Sequence, residues 1–149
     1  MARDQFDPTP IENRNELVEW FVQGCKPAAA FRIGTEHEKI PFRSGSTRPV
    51  AYEGADGIGA LLAGLQRDSG WEPIMDGSAL IGLADPKGGG AISLEPGGQF
   101  ELSGAPLATL HDGAEELEAH LTAVKRLGEA LGISFLTLGV SPLWSRSET

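Results

Sequence analysis

Basic residues are scarce in this sequence. Twelve Lys and Arg stand against 21 Asp and Glu, a formal charge of −9. A nucleic-acid binder needs a basic stripe to displace counterions, so that class is excluded. Docking on an anionic membrane surface is excluded on the same ground. Cysteine is rarer still: Cys25 alone cannot close an internal disulfide, and there is no cysteine cluster for zinc. Long hydrophobic runs are missing too. The longest nearly apolar stretch, Ile133 to Val140, is far too short to span a bilayer. The opening Met1-Ala2-Arg3-Asp4-Gln5-Phe6-Asp7 has no apolar run after its basic residue, which predicts no secretory leader. The expected compartment is a reducing bacterial or organellar interior, with the cytoplasm as the default.

What the chain does have is glycine, 20 of 149 residues, and apolar side chains, 40%. Glycine and proline together reach about 20%, below the roughly 25–30% of disordered low-complexity chains. One domain with a real core is expected.

Asn13-Arg14-Asn15-Glu16 reads as a capping box, followed by Leu17, Val18, Phe21 and Val22 at helical spacing until Gly24 and Pro27. From Ala30 to Pro41 the period changes to two, predicting a strand. On it Phe31 and Ile33 alternate with Arg32 and Gly34, and Thr35 and His37 with Glu36 and Glu38. Ser44 to Pro49 is a polar loop. Ile58, Leu61, Leu62 and Leu65 predict a short amphipathic helix closed by Ser69-Gly70. Trp71 to Leu83 reads as two short strands around Met75-Asp76-Gly77-Ser78, and Asp85 to Gly90 as a turn. Ala91–Glu95 and Gln99–Ser103, joined by Pro96-Gly97-Gly98, read as a hairpin. A long helix is expected from Leu110 to Leu131, capped by Thr109 and Gly132, and then a buried strand from Ile133 to Val140. This order predicts an α+β fold, a mixed sheet with helices on one face, rather than a Rossmann alternation. No element follows to cover the last strand's edges, which reads as a truncation.

The acids carry the chemical signal. Glu36 and Glu38, two apart in a strand, share a face with Cβ atoms about 7 Å apart. Bare carboxylates at that spacing repel. Glu95, Gln99 and Glu101 share a parity around the Pro96-Gly97-Gly98 turn. If that hairpin pairs beside the Glu36 strand, four carboxylates converge on one face, an oxygen-only set suited to Mg²⁺ or Mn²⁺. Exposed strands often carry glutamate, but four together favour a site.

Other motifs fall short. Gly57-Ile58-Gly59 lacks the third glycine of a dinucleotide fingerprint and reads as a helix start. Lys87-Gly88-Gly89-Gly90 lacks the Lys-Ser/Thr of a Walker loop and reads as a hairpin turn. His37-Glu38-Lys39-Ile40-Pro41 has proline where a zinc protease needs its second histidine; His37 is expected opposite the acids. His111 and His120 lie half a turn out of phase and cannot share a metal. Cys25 reads as a plain thiol, and Trp20, Trp71 and Trp144 as packing residues. Of the few basic residues, Arg32 and Lys39 are those near the acids.

Arg32-Ile33-Gly34-Thr35-Glu36-His37-Glu38-Lys39 and Leu94-Glu95-Pro96-Gly97-Gly98-Gln99-Phe100-Glu101-Leu102-Ser103-Gly104 closely resemble the plant and proteobacterial type of glutamate–cysteine ligase. Tyr52-Glu53-Gly54, Gly57-Ile58, Gly70-Trp71, Leu80-Ile81-Gly82-Leu83 and Leu110-His111-Asp112 extend the resemblance from about Leu17 to Trp144. It implies part of a glutamine-synthetase-like catalytic domain with a curved, mainly antiparallel sheet. Residues 1–149 would be its N-terminal part, cut short at the C-terminus and lacking the rest of its own chain. It further implies Glu36, Glu38, Glu95 and Glu101 as catalytic metal ligands, with Gln99 in the same cofactor-binding site. The implied reaction forms γ-glutamylcysteine from glutamate, cysteine and ATP with Mg²⁺ or Mn²⁺, through γ-glutamyl phosphate, as the first step toward glutathione. Family members are considerably longer, so this chain is expected to hold most of an acidic metal cradle with an incomplete grip on ATP. Two rivals remain at this point: a γ-glutamyl ligase with another amine acceptor, and a noncatalytic metal- or glutamate-binding module.

Overall fold

A computed structural model describes residues 8–145 and Ser147. The leader reading at Met1–Asp7 and the last residues of the ending, Arg146, Glu148 and Thr149, lie outside the described residues. The elements run α1 (Arg14–Gln23), a 3-10 turn (Ala28–Ala30), β1 (Glu36–Arg43), α2 (Ile58–Ser69), β2 (Glu72–Asp76) and β3 (Ala79–Ala84). They continue through β4 (Ala91–Leu94), β5 (Phe100–Ser103), α3 (Leu110–Leu131) and β6 (Ile133–Leu136). The strands form one six-stranded sheet in the order β2-β3-β4-β5-β1-β6, every neighbouring pair antiparallel. The α+β expectation is met. Among the described residues no helix is long and apolar enough to cross a membrane.

Local chemistry explains most boundaries. The Asn13 side chain accepts from the Asn15 and Glu16 backbone N–H groups at the start of α1. The expected reach of Glu16 goes one residue further: its carboxylate accepts from the Glu12 N–H and the Asn13 side-chain amide instead of the Asn13 N–H. Thr109 and Asp112 complete a reciprocal capping box on α3. Gly70 and Gly132 end α2 and α3 in the left-handed conformation. β2 and β3 turn at Gly77-Ser78, with a bulge at Ile74/Met75 and Pro73 inside β2.

Strand β1 divides its pairing. Glu36 to Lys39 pair with Ser103 to Phe100 of β5, and Ile40 to Arg43 with Leu136 to Ile133 of β6. Two expected strands are shorter than their sequence pattern. The chain from Phe31 to Thr35 makes only an isolated bridge, Ile33 to Leu107, before β1 begins. β6 ends at Leu136, opposite Ile40 of β1, and Leu138 and Val140 stay exposed.

The register sorts side chains by face. His37, Leu102, Ile92 and Leu83 align across four strands, as do Glu38, Glu101, Ser93 and Gly82. Leu83, Ile92, Leu102 and Phe100 meet Leu61, Leu62 and Leu65 of α2 and Val124 of α3 in the core. The helices therefore cover the even face of β5 and leave the glutamate face without a helix, though Glu101 and Ile40 on it are buried. α3 reaches β6 closely at Gly128, where a Cβ would stand 2.7 Å from the Ile133 carbonyl oxygen and 2.8 Å from the Phe135 ring. α1 forms as its sequence predicts but buries nothing: Leu17, Val18, Trp20, Phe21 and Val22 are all exposed. Leu110, read as part of the α3 stripe, is 73% exposed as well.

Leu62→Ala empties a fully buried site and is expected to lower the unfolding free energy by roughly 2–5 kcal/mol in urea titrations. Leu110→Ala is expected to change it by no more than about 0.5 kcal/mol. Equal losses would contradict this placement of the core.

Candidate functional site

The bare face of the sheet gathers the acids. Glu38 lies directly opposite Glu101 in the β1–β5 register, and Glu36 opposite Ser103. Glu95 reaches the same face from the end of β4. Its N–H donates to the Gln99 carbonyl at 2.9 Å, and the Gly98 N–H donates back to the Glu95 carbonyl at 2.9 Å. Pro96 and Gly97 sit within this turn and Gly98 follows with φ +78°, the pattern of a three-residue hairpin loop closed by a glycine bulge. The bulge keeps Glu95 in phase with Glu101, and the two carboxyl groups share a hydrogen bond.

Electrostatics divides this pair. The bond to Glu101, then burial and the nearby charges of Glu101 and Glu38, push the Glu95 carboxyl above its usual range. Burial pushes Glu101 up as well, but hydrogen bonds from Ser103 and Glu95, with the charge of Lys39, outweigh it and leave Glu101 below its usual range. The Ser103 hydroxyl donates to Glu101 Oε1 at 2.8 Å and that of Ser93 to Glu95 Oε1 at 3.5 Å. The two carboxyls are thus shifted in opposite directions, as coupled neighbouring acids are.

The donors suit a hard divalent cation in kind, being carboxylate oxygens on one open face. They do not close on one point as they stand: among the described residues no group of three or more His, Cys, Asp or Glu side chains is placed to hold a metal ion. Gln99 shares the face but not the cluster, for its side-chain amide donates to the Gly139 carbonyl at 3.1 Å. It thereby holds the segment after β6 beside a cleft of about 220 Å³ lined by Ile40, Gln99, Val140 and Trp144. A second cleft of about 220 Å³ opens near the Glu36 end, between Ser103 and the Asp85–Gly90 turn.

Neither nearby cation joins the acids. Arg32 folds back on the Ala29 and Phe31 carbonyls. Lys39 points to the helix side, fully buried, its ammonium donating to the His37 carbonyl at 2.9 Å and lying 3.2 Å from His37 Nδ1. An ammonium has only donors, so Nδ1 is the acceptor. Phe100 lies under it, 6.0 Å away, and the His120 ring stacks on Phe100. Burial lowers Lys39 to about 8 against the opposing pull of Glu101. Burial and then the Lys39 charge lower His37 as well. Sequence reading gave no role to Ser93, Ser103 or His120. The two serines share the acids' parity and were legible on that ground; His120 needed the packing of α3.

Residues 32–149 match the model of glutamate–cysteine ligase family 2. The chain is 47% identical over 147 residues to a glutamate–cysteine ligase, chloroplastic, of Medicago truncatula, which covers 99% of this chain and 28% of that protein. It is 47% identical over 135 residues to the protein of the same name from Arabidopsis thaliana, covering 91% and 25%. Against that of Nicotiana tabacum it is 48% identical over 131 residues, covering 88% and 24%. The chain thus spans about a quarter of the length of the curated relatives it matches. Their names correct one expectation. All are called chloroplastic, so the compartment they point to is the plastid and not the cytoplasm.

His120 generates a pH dependence. Burial, then the charges of Lys39 and His37, lower it from 6.5 to about 3, so it is neutral in the fold at pH 7. Below about pH 6.5 the unfolded chain takes up a proton that the folded chain refuses, and stability falls until about pH 3. Denaturant midpoints at pH 7 and pH 4.5 are expected to differ less in His120→Leu than in the parent. An undiminished difference would show that His120 does not carry the effect.

Proposed function

The chain belongs to glutamate–cysteine ligase family 2, and from that premise we propose that its carboxylate face is the metal-binding part of an ATP-dependent ligase. The reaction joins the γ-carboxyl of glutamate to the amine of cysteine, the first step of glutathione biosynthesis. What carries the reading is the meeting of Glu38, Glu95 and Glu101 on the open side of the sheet, with Glu36 one pair along β1.

In this reading Glu36, Glu38, Glu95 and Glu101 supply the oxygens for Mg²⁺ or Mn²⁺. A bound divalent cation would neutralise the phosphates of ATP and clamp the phosphoryl group in transfer. Ser103 and Ser93 aim the Glu101 and Glu95 carboxylates. Gln99 steadies the wall of the adjoining cleft, where a substrate can lie beside the acids. The glutamate carboxylate takes the phosphoryl group as an acyl phosphate, and the cysteine amine displaces phosphate from it. The protein positions the reactants and screens charge, so the chemistry asks for no side-chain nucleophile. Further contacts to ATP belong to the parts of the longer relatives that this chain does not span.

A thermal melt with and without excess Mn²⁺ tests the reading. At about 100 times its dissociation constant, an ion bound only by the folded chain adds roughly 2.7 kcal/mol. The parent is expected to show this shift, and Glu36→Ala and Glu95→Ala to lose most of it. A folded parent with no shift would sink the metal reading for this chain.

A further inference from the structure

Lys39 is fully buried and belongs to neither ion pair formed among the described residues, Arg43–Asp56 and Arg126–Asp68. Its surroundings on the helix side are the His37 carbonyl, the His37 and His120 imidazoles and the Phe100 ring. None of these is an anion. A buried ammonium without a carboxylate beside it is unfavourable unless negative charge acts on it from elsewhere. That charge stands on the other side of the sheet. Lys39 follows Glu38 in β1 and faces Phe100, the residue before Glu101 in β5. Lys39 and Glu101 thus stand at adjacent register positions on opposite sides of a single backbone layer, where opposite charges attract. Salt screens such a buried interaction far less than an exposed one.

We propose that Lys39 is a positioning residue, the standing counter-charge that holds the carboxylates of the opposite face together while no divalent cation is bound. The inference rests on the metal reading above. Its consequence is competition: a cation on the carboxylate face and the ammonium beneath it draw on the same negative charge, and each weakens the other's hold. By linkage the weakening is equal in both directions. A lysine kept only for its packing would oppose no metal.

The test compares the parent chain at pH 7 with Lys39→Met, which keeps an unbranched stem and removes the charge, and with Val124→Ala as a core-weakened control. Melting is followed with and without Mn²⁺, and affinity by the paramagnetic resonance signal of free Mn²⁺. Lys39→Met is expected to melt lower than the parent without Mn²⁺, to bind Mn²⁺ several-fold more tightly, and to recover most of its lost stability at saturation. Val124→Ala is expected to lose stability with its Mn²⁺ affinity unchanged. Unchanged or weaker affinity in Lys39→Met overturns the proposal. Should that variant be unfolded without metal, Mn²⁺ is expected to restore its folded circular dichroism spectrum, and failure to do so also overturns it. If the parent itself binds no Mn²⁺, the metal reading falls, and the metal-free protein decides on the counter-charge. The cost of Lys39→Met is then expected to shrink in a Glu101→Gln background; an equal cost in both backgrounds overturns the proposal.

Discussion

The register between β1 and β5 fixes the core and the candidate site in a single act. With Lys39 opposite Phe100 and Glu38 opposite Glu101, His37 and Lys39 go to the helix side and Glu36 and Glu38 to the other face. A slip of one residue would turn every side chain over, placing carboxylates against α3 and Phe100 in water. The core residues Phe100 and Leu102 therefore do more than exclude water. Through the alternation of the strand, their burial sets where Glu101 and Glu38 stand.

On the open face the physical problem is repulsion. Four glutamates share one side of two strands and the turn beside them, and Arg32 is turned away. The structure answers locally: two serine hydroxyls donate into the carboxyls, and Glu95 and Glu101 share a hydrogen bond. These devices ease the repulsion without removing it, which is the condition under which a multivalent cation gains most by entering. A surface face of glutamates with no other purpose would spread its charges into solvent.

Where the sequence is locally self-consistent it could be read directly. α2 and α3 carry apolar spacing, and their glycine stops fall where the chain ends them. The hairpin around Pro96-Gly97-Gly98 needed only its turn residues. Period-two alternation placed Glu36 and Glu38 together and His37 opposite them. What escaped reading depended on distant partners. β1 starts at Glu36 and not near Ala30 because β5 begins to pair there, and β6 pairs with β1 only from Ile133 to Leu136. Sequence reading marks Lys39 only as a cation near the acids, and its burial on the far face comes from Phe100 and the neighbourhood of His120, sixty and eighty residues on. The contact between Glu95 and Glu101 follows from the glycine bulge, which no alternation pattern contains.

The division of β1 between two partners also bears on the order in which the chain can fold. β2, β3, β4 and β5 form a meander joined by short turns, so their pairings close small loops. β1 must find β5 across more than sixty residues and β6 across about ninety, and such long closures slow the search. Glu101 and Glu95 can thus meet early, on a hairpin that is complete in itself. Glu36 and Glu38 come last, carried in by the strand that docks between the meander and β6. The carboxylate face is assembled in two instalments, the second slower than the first.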